Sequence, residues 1–115
     1  MSTQAHQGEV WFCDLNPIRG HEQAGSRPAV VISVDQLSAG ASELAIVVPL
    51  TRTSGPSPLY VVLDQPEGGL RDRSYALPEM VRSILRERLS ERWGTVSTAK
   101  PNEITRRGHL FTRPS

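Results

Sequence analysis

The chain has 115 residues, thirteen basic and twelve acidic side chains, and a net charge of +1 at neutral pH. That length accommodates one domain with a modest core, and the near balance of charge excludes a chain that holds a polyanion by bulk electrostatics, leaving local clusters to do so. No apolar run approaches the roughly 18 residues of a membrane span, and the lone Cys13 excludes an internal disulfide, so a cytoplasmic protein without membrane partners is the default reading.

Residues 1–7 are polar, lack the charged and apolar regions of a signal peptide, and read as a flexible tail before a single domain over 8–115. A first strand is expected over Gly8–Leu15, where Val10, Trp11, Phe12 and Leu15 supply β-branched and aromatic side chains and Asn16-Pro17 turns the chain. A second strand is expected over Ala29–Val34, and Asp35 is placed as the N-cap of a single helical turn within 35–42. Glu43–Leu50 reads as a third strand and Leu59–Asp64 as a fourth, separated by the turn cluster Gly55-Pro56-Ser57-Pro58. Ser74–Leu85 reads as one long strand or two joined ones, bent at Pro78. Over Arg86–Arg92 the spacing of Leu85, Leu89 and Trp93 suits a helical turn, and Trp93–Val96 a last short strand. Pro101–Leu110 opens as a helix with Pro in its first turn, limited by Gly108 and Pro114. Six or so short strands, with nine Gly and nine Pro between them, predict a small barrel or sandwich.

The stretch Gly20-His21-Glu22-Gln23-Ala24-Gly25-Ser26-Arg27-Pro28 joins the first two strands. Hairpin loops commonly take two to five residues, and this one carries an imidazole, a carboxylate, an amide and a guanidinium. Loops that concentrate such groups on a strand scaffold are where binding and catalysis sit. Read alone, the two glycines explain equally well as turn formers, and Arg27-Pro28 as the start of a strand.

The run Gly-x-Glu-Gln-x-Gly-x-Arg-Pro after Asp14-Leu15-Asn16-Pro17 resembles the hallmark of the MazF/PemK/Kid family of toxin endoribonucleases. Val48-Pro49-Leu50-Thr51 is similar to that family's strand-ending Val-Pro-x-Thr. Leu77-Pro78-Glu79-Met80-Val81-Arg82-Ser83 resembles its Leu-x-Asp-Gln-Val-Arg-Ser block, and a Gly-x-Val ends at Val96. The resemblance runs from about Gly8 to Val96; the C-terminal segment departs from relatives, which carry a longer apolar helix. It implies a mostly β fold, a compact SH3-like twisted antiparallel barrel with short helical insertions and a short C-terminal helix. It also implies a homodimer silenced by a cognate antitoxin, which cuts single-stranded RNA at a short sequence, with no metal or organic cofactor, leaving a 2′,3′-cyclic phosphate and a 5′-hydroxyl.

Such cleavage needs a cation at the phosphoryl oxygens, a proton acceptor and a proton donor. The resemblance assigns the first role to Arg27, whose planar fork suits two phosphate oxygens, and a phosphate-orienting hydrogen bond to Thr51, a hydroxyl too weakly acidic to act as base. The acceptor stays open among His21, Glu22 and Glu79, the last matching a family Asp. Leu77 stands where some members have an Arg proposed as the acid, and Met80 replaces the usual Gln. Gln23, Arg52, Glu79, Arg82 and Ser83 are candidate RNA contacts. Arg71, Arg73, Arg82, Arg86, Arg88 and Arg92, interleaved with Glu87 and Glu91, read as a solvated ion-paired face, some of which, with Arg52, can track an RNA backbone. Trp11 and Trp93 read as core or interface rather than as base-stacking platforms, and Cys13 as a small core residue. Two rivals remain at this point: a toxin of the same barrel that poisons DNA gyrase by binding alone, and a non-catalytic RNA-binding relative.

Overall fold

The computed structural model describes residues 3–15, 25–53 and 58–112. Among them lie seven strands: β1 Glu9–Asp14, β2 Ser26–Val31, β3 Leu44–Thr51, β4 Val61–Leu63, β5 Ser74–Ala76, β6 Arg82–Leu85 and β7 Leu89–Thr95. All pairings are antiparallel, in the order β4-β5-β3-β2-β1-β7, with β6 as a further partner of β3. Two helices, α1 Asp35–Ser38 and α2 Ala99–Thr112, complete the mostly β fold expected from the sequence.

The central strands carry uninterrupted apolar runs because both their faces are covered. Val30 and Val48 sit opposite one another and point into one core with Val10, Leu50, Leu63 and Ile104 of α2. Ala29, Val31 and Val47 point the other way, into a second core with Ala5, Cys13, Ile84 and Leu89. A sheet with two buried faces needs a cover for each, and its curl supplies part of both. The curl comes from β3, which exchanges partners along its length: Leu44–Val47 pair with β6, while Leu50 and Thr51 pair with β5. The chain between these partners turns through a 3₁₀ turn at Pro78–Met80, so Ser74–Leu85 is two strands joined at Pro78.

Several boundaries differ from the sequence expectation. Strand β2 begins at Ser26, so Pro28 lies inside it; there the chain pairs with β1 alone, since the ladder to β3 starts at Ala29, and a proline is tolerated on such an edge. The helical turn over Arg86–Arg92 shrinks to a 3₁₀ turn at Arg86–Arg88, and β7 starts at Leu89 opposite Cys13. The fully buried Arg86 decides this, its guanidinium donating to Ser38 O at 2.7 Å and Gly40 O at 2.9 Å. Helix α2 runs on through Gly108, a residue that weakens a helix by only about 0.5–1 kcal/mol relative to alanine.

Residues 3–7 are not a loose tail. Ala5 is fully buried and its N–H donates to Ser38 O at 3.1 Å, while Gly8 N–H donates to Val31 O at 2.8 Å. Asp35 is the first residue of α1 rather than its N-cap, which is Val34. Its carboxylate instead accepts the Gln7 N–H at 2.8 Å and stands 3.0 Å from His6 Nδ1.

That clasp makes a pH prediction. The hydrogen bond to Asp35 raises the His6 pKa, and the same contacts, Gln7 N–H foremost, lower that of Asp35. The imidazolium contribution is complete below the ordinary imidazole pKa and fades as pH rises through the raised value; the carboxylate contribution is complete above the ordinary carboxylate pKa and fades on acidification. His6→Ala should therefore lower the melting temperature most between those two ordinary values and least above neutrality. A melting difference independent of pH from mildly acidic to alkaline buffer would remove the ion pair from the account.

Candidate functional site

One open cleft of about 840 Å³ lies where the ends of β1, β2, β3 and β7 meet the turn at Glu67–Gly69. Arg27 enters it from the second position of β2 and Thr51 from the last of β3. Both lie two residues beyond the last pair of the β2–β3 ladder, Ala29↔Pro49, and both line the cleft. Sheet pairing holds each root: Arg27 pairs with Cys13 of β1 and Thr51 with Tyr75 of β5.

The hydroxyl of Thr51 accepts the Thr53 N–H at 3.2 Å. With that lone pair engaged, its own O–H is left to donate, which suits an anionic oxygen and not a base. Around the pair stand Arg52, Arg71 and Arg92, against the carboxylates of Asp72 and Glu91. Arg52 meets Asp72 at 3.3 Å with both side chains well exposed. Such a pair is worth about 0–1 kcal/mol, so a phosphate can take the guanidinium at little cost. Glu91 accepts the Trp93 indole N–H at 3.0 Å. Arg27 and Arg71 make no ion pair with a described residue, so the cleft presents net positive charge although the chain is nearly neutral.

Burial pushes the Cys13 thiol up to about 12, so the sulfur beside Arg27 is an inert core group, as its position in an apolar strand implies. His21, Glu22 and Gln23 lie outside the described residues. Leu15 N–H donates to Gly25 O at 2.9 Å, which joins the two ends of the segment that carries them. Glu79 is exposed on the 3₁₀ turn before β6, and Ser83 is exposed opposite Ile46. Neither lines the cleft, and nor does Arg82, which donates to Leu15 O at 3.1 Å. The third sequence block thus meets the chain through Arg82 at Leu15 rather than the cleft of Arg27 and Thr51. Trp93, read from sequence as a core or interface residue, lines the cleft with Phe12 as a stacked pair, with ring centroids 5.8 Å apart and planes within 10°.

Residues 6–110 match the profile of the PemK-like, MazF-like toxin of type II toxin–antitoxin systems. The chain belongs to that family. Among curated MazF relatives, it is 40% identical over 99 residues to endoribonuclease MazF9 of Mycobacterium tuberculosis, covering 82% of this chain and 84% of that protein. It is 35% identical over 88 residues to endoribonuclease EndoA of Bacillus subtilis, covering 75% of each. Its fold matches MazF of Deinococcus radiodurans with a TM-score of 0.76 at 25% identity, over 96% of this chain and 97% of that one. A mycobacterial endoribonuclease solved in complex with its cognate antitoxin shares the fold with a TM-score of 0.75 at 20% identity, over 96% of this chain and 98% of that one. The MazF resemblance read from four short sequence blocks therefore holds for nearly the whole chain. No helix among the described residues is long and apolar enough to cross a membrane.

Proposed function

We propose that this chain is a toxin endoribonuclease that cuts single-stranded RNA at a short sequence, without a metal ion, in the Arg27–Thr51 cleft. The observation that carries the reading is the presence of a root-held guanidinium and a donating hydroxyl in one cationic cleft. In the reaction the ribose 2′-oxygen bonds to phosphorus and the bond from phosphorus to the 5′-oxygen breaks. The 2′-hydroxyl proton passes to a base, a proton is delivered to the departing 5′-oxygen, and the products are a 2′,3′-cyclic phosphate and a 5′-hydroxyl. Negative charge grows on the non-bridging oxygens, where Arg27 can present two N–H groups and Thr51 one O–H. The nucleophile belongs to the substrate itself, so no bound water has to be activated. The only carboxylates lining the cleft among the described residues, Asp72 and Glu91, are each engaged by a neighbour. The base is His21 or Glu22 of the 16–24 segment, whose joined ends lie next to Arg27; the exposed Glu79 serves this role less well, being outside the cleft.

The relatives' activity and the antitoxin complex among them support the same partners here: an antitoxin that covers the cleft, and a second copy of this chain. Leu44 and Leu85 face each other across β3 and β6, each 40% exposed, with Met80 and Val81 nearby in sequence at similar exposure. Apolar side chains gathered this way call for cover, and the dimer would supply it.

The test is incubation of the purified chain with a long mixed-sequence RNA in EDTA, followed by mapping of the ends. Cuts at one short sequence, with 5′-hydroxyl and cyclic-phosphate termini, are expected. Cleavage that vanishes in EDTA and returns with a divalent cation, or termini bearing a 5′-phosphate, would refute the mechanism.

A further inference from the structure

We propose that the Phe12–Trp93 pair is a stacking platform for an unpaired base of the RNA next to the phosphate held by Arg27 and Thr51. This rests on the nuclease reading above for the position of the phosphate and goes beyond it in assigning a base subsite.

Trp93 owes its direction to an irregularity of the sheet. Between β1 and β7 the register passes from Val10↔Gly94 to Trp11↔Arg92, so Trp93 has no partner and is the extra residue of a β-bulge. Bulges occur beside active sites, where they re-aim a side chain. A second register shift follows at Phe12/Cys13, where the Ser90 hydroxyl donates to Phe12 O at 2.8 Å and ties the strand down. The indole is then held three ways: it stacks on Phe12, its N–H donates to Glu91 Oε1 at 3.0 Å, and its backbone is wedged against Gly69.

Position and chemistry select the occupant. Phe12 pairs with Pro28, the residue after Arg27, and Phe12 and Trp93 line the same cleft as Arg27 and Thr51. Phe12 is half-buried while Trp93 remains 37% exposed, so the indole is the outer ring of the stack. A buried structural aromatic has no reason to be re-aimed into a cationic cleft, whereas a single-stranded nucleic acid offers a flat ring beside each phosphate. Base–aromatic stacking beside backbone-tracking arginines is how such strands are held with tolerance for sequence. A ring fixed before binding also loses little freedom when the base arrives.

The experiment uses the full chain and a short mixed-sequence 2′-O-methyl oligoribonucleotide, which binds but cannot react. Trp93→Ala is expected to bind it roughly five- to a hundredfold more weakly, and Trp93→Phe, which keeps an aromatic face, only a few-fold more weakly, with melting temperatures near that of the unaltered protein. In a Trp11→Phe background, where Trp93 is the only indole, emission should be quenched as the oligonucleotide saturates. A folded Trp93→Ala protein that binds undiminished, or emission unchanged at saturation, overturns the platform. Emission that follows protein concentration rather than RNA overturns it too, assigning the ring to contact between copies. If Trp93→Ala does not fold, the emission measurement alone decides. Unaltered protein that quenches normally yet leaves long RNA uncut keeps the platform and removes the nuclease reading; clean cutting by Trp93→Ala at the original rate and sites does the reverse.

Discussion

Arg27→Ala is expected to lower the single-turnover cleavage rate by about 10²–10³, or roughly 3–4 kcal/mol in the barrier, the usual effect of removing one preorganised donor to developing charge. RNA affinity should fall far less, because Arg52, Arg71 and Arg92 line the same cleft and remain to meet the phosphates. Arg27→Lys should restore little, since a point charge cannot reproduce two parallel N–H bonds. Melting should be nearly unchanged: Arg27 makes no ion pair with a described residue, and its backbone pairing with β1 survives the substitution. A structural arginine would behave otherwise, with melting temperature, affinity and rate falling together. Rate, affinity and melting measured on one preparation separate the cases, and an undiminished rate would refute the assignment of Arg27.

Gly69→Ala is expected to destabilise the fold by more than about 4 kcal/mol, at the extreme of single substitutions. Gly69 has φ +74°, and a Cβ there would lie 2.1 Å from Trp93 O and 2.6 Å from Trp93 C. Both obstacles are backbone, so no side-chain rotation relieves them; β7 would have to leave the Glu67–Gly69 turn, and the left-handed conformation alone costs about 1–2 kcal/mol. Against a total stability of about 5–15 kcal/mol, the melting temperature should drop by on the order of 15 °C. Gly108→Ala provides the contrast. Its Cβ would meet Pro78 at an ordinary 3.5 Å inside α2, and the change should add about 0.5–1 kcal/mol. Similar melting of the two variants would show that the close approach of the Glu67–Gly69 turn to β7 is not a constraint.

The same crossing explains a limit on sequence reading. Gly68-Gly69 after Gln65-Pro66-Glu67 reads correctly as a turn. Nothing local says that this turn lies under Trp93, because the contact joins residues far apart in the chain. Asp35 shows the same limit: an Asp before a short polar stretch is a sound N-cap signal, but here Gln7 and His6 compete for the carboxylate and win it. The start of β7 shows it again. The spacing of Leu85, Leu89 and Trp93 suits a helical turn over 86–92, whereas the strand expected from Trp93 already begins at Leu89, and the alternation that marks a strand is broken there by the bulges.

By itself the sequence determined the β-rich class, the places of most strands, the family, and Arg27 and Thr51 as the pair to watch. These follow from local steric preference, from turn chemistry and from contiguous motifs whose residues act on one another within a few positions. Only the tertiary structure decided that Arg27 and Thr51 line one cleft, that Glu79, Arg82 and Ser83 stand outside it, and that Phe12 and Trp93 stand inside. Those are matters of register and curl, and register depends on pairing between distant segments: one residue of slip sends every side chain to the opposite face. The partner exchange of β3 and the bulge at Trp93 settle it, and both arise from how two buried faces are covered at once.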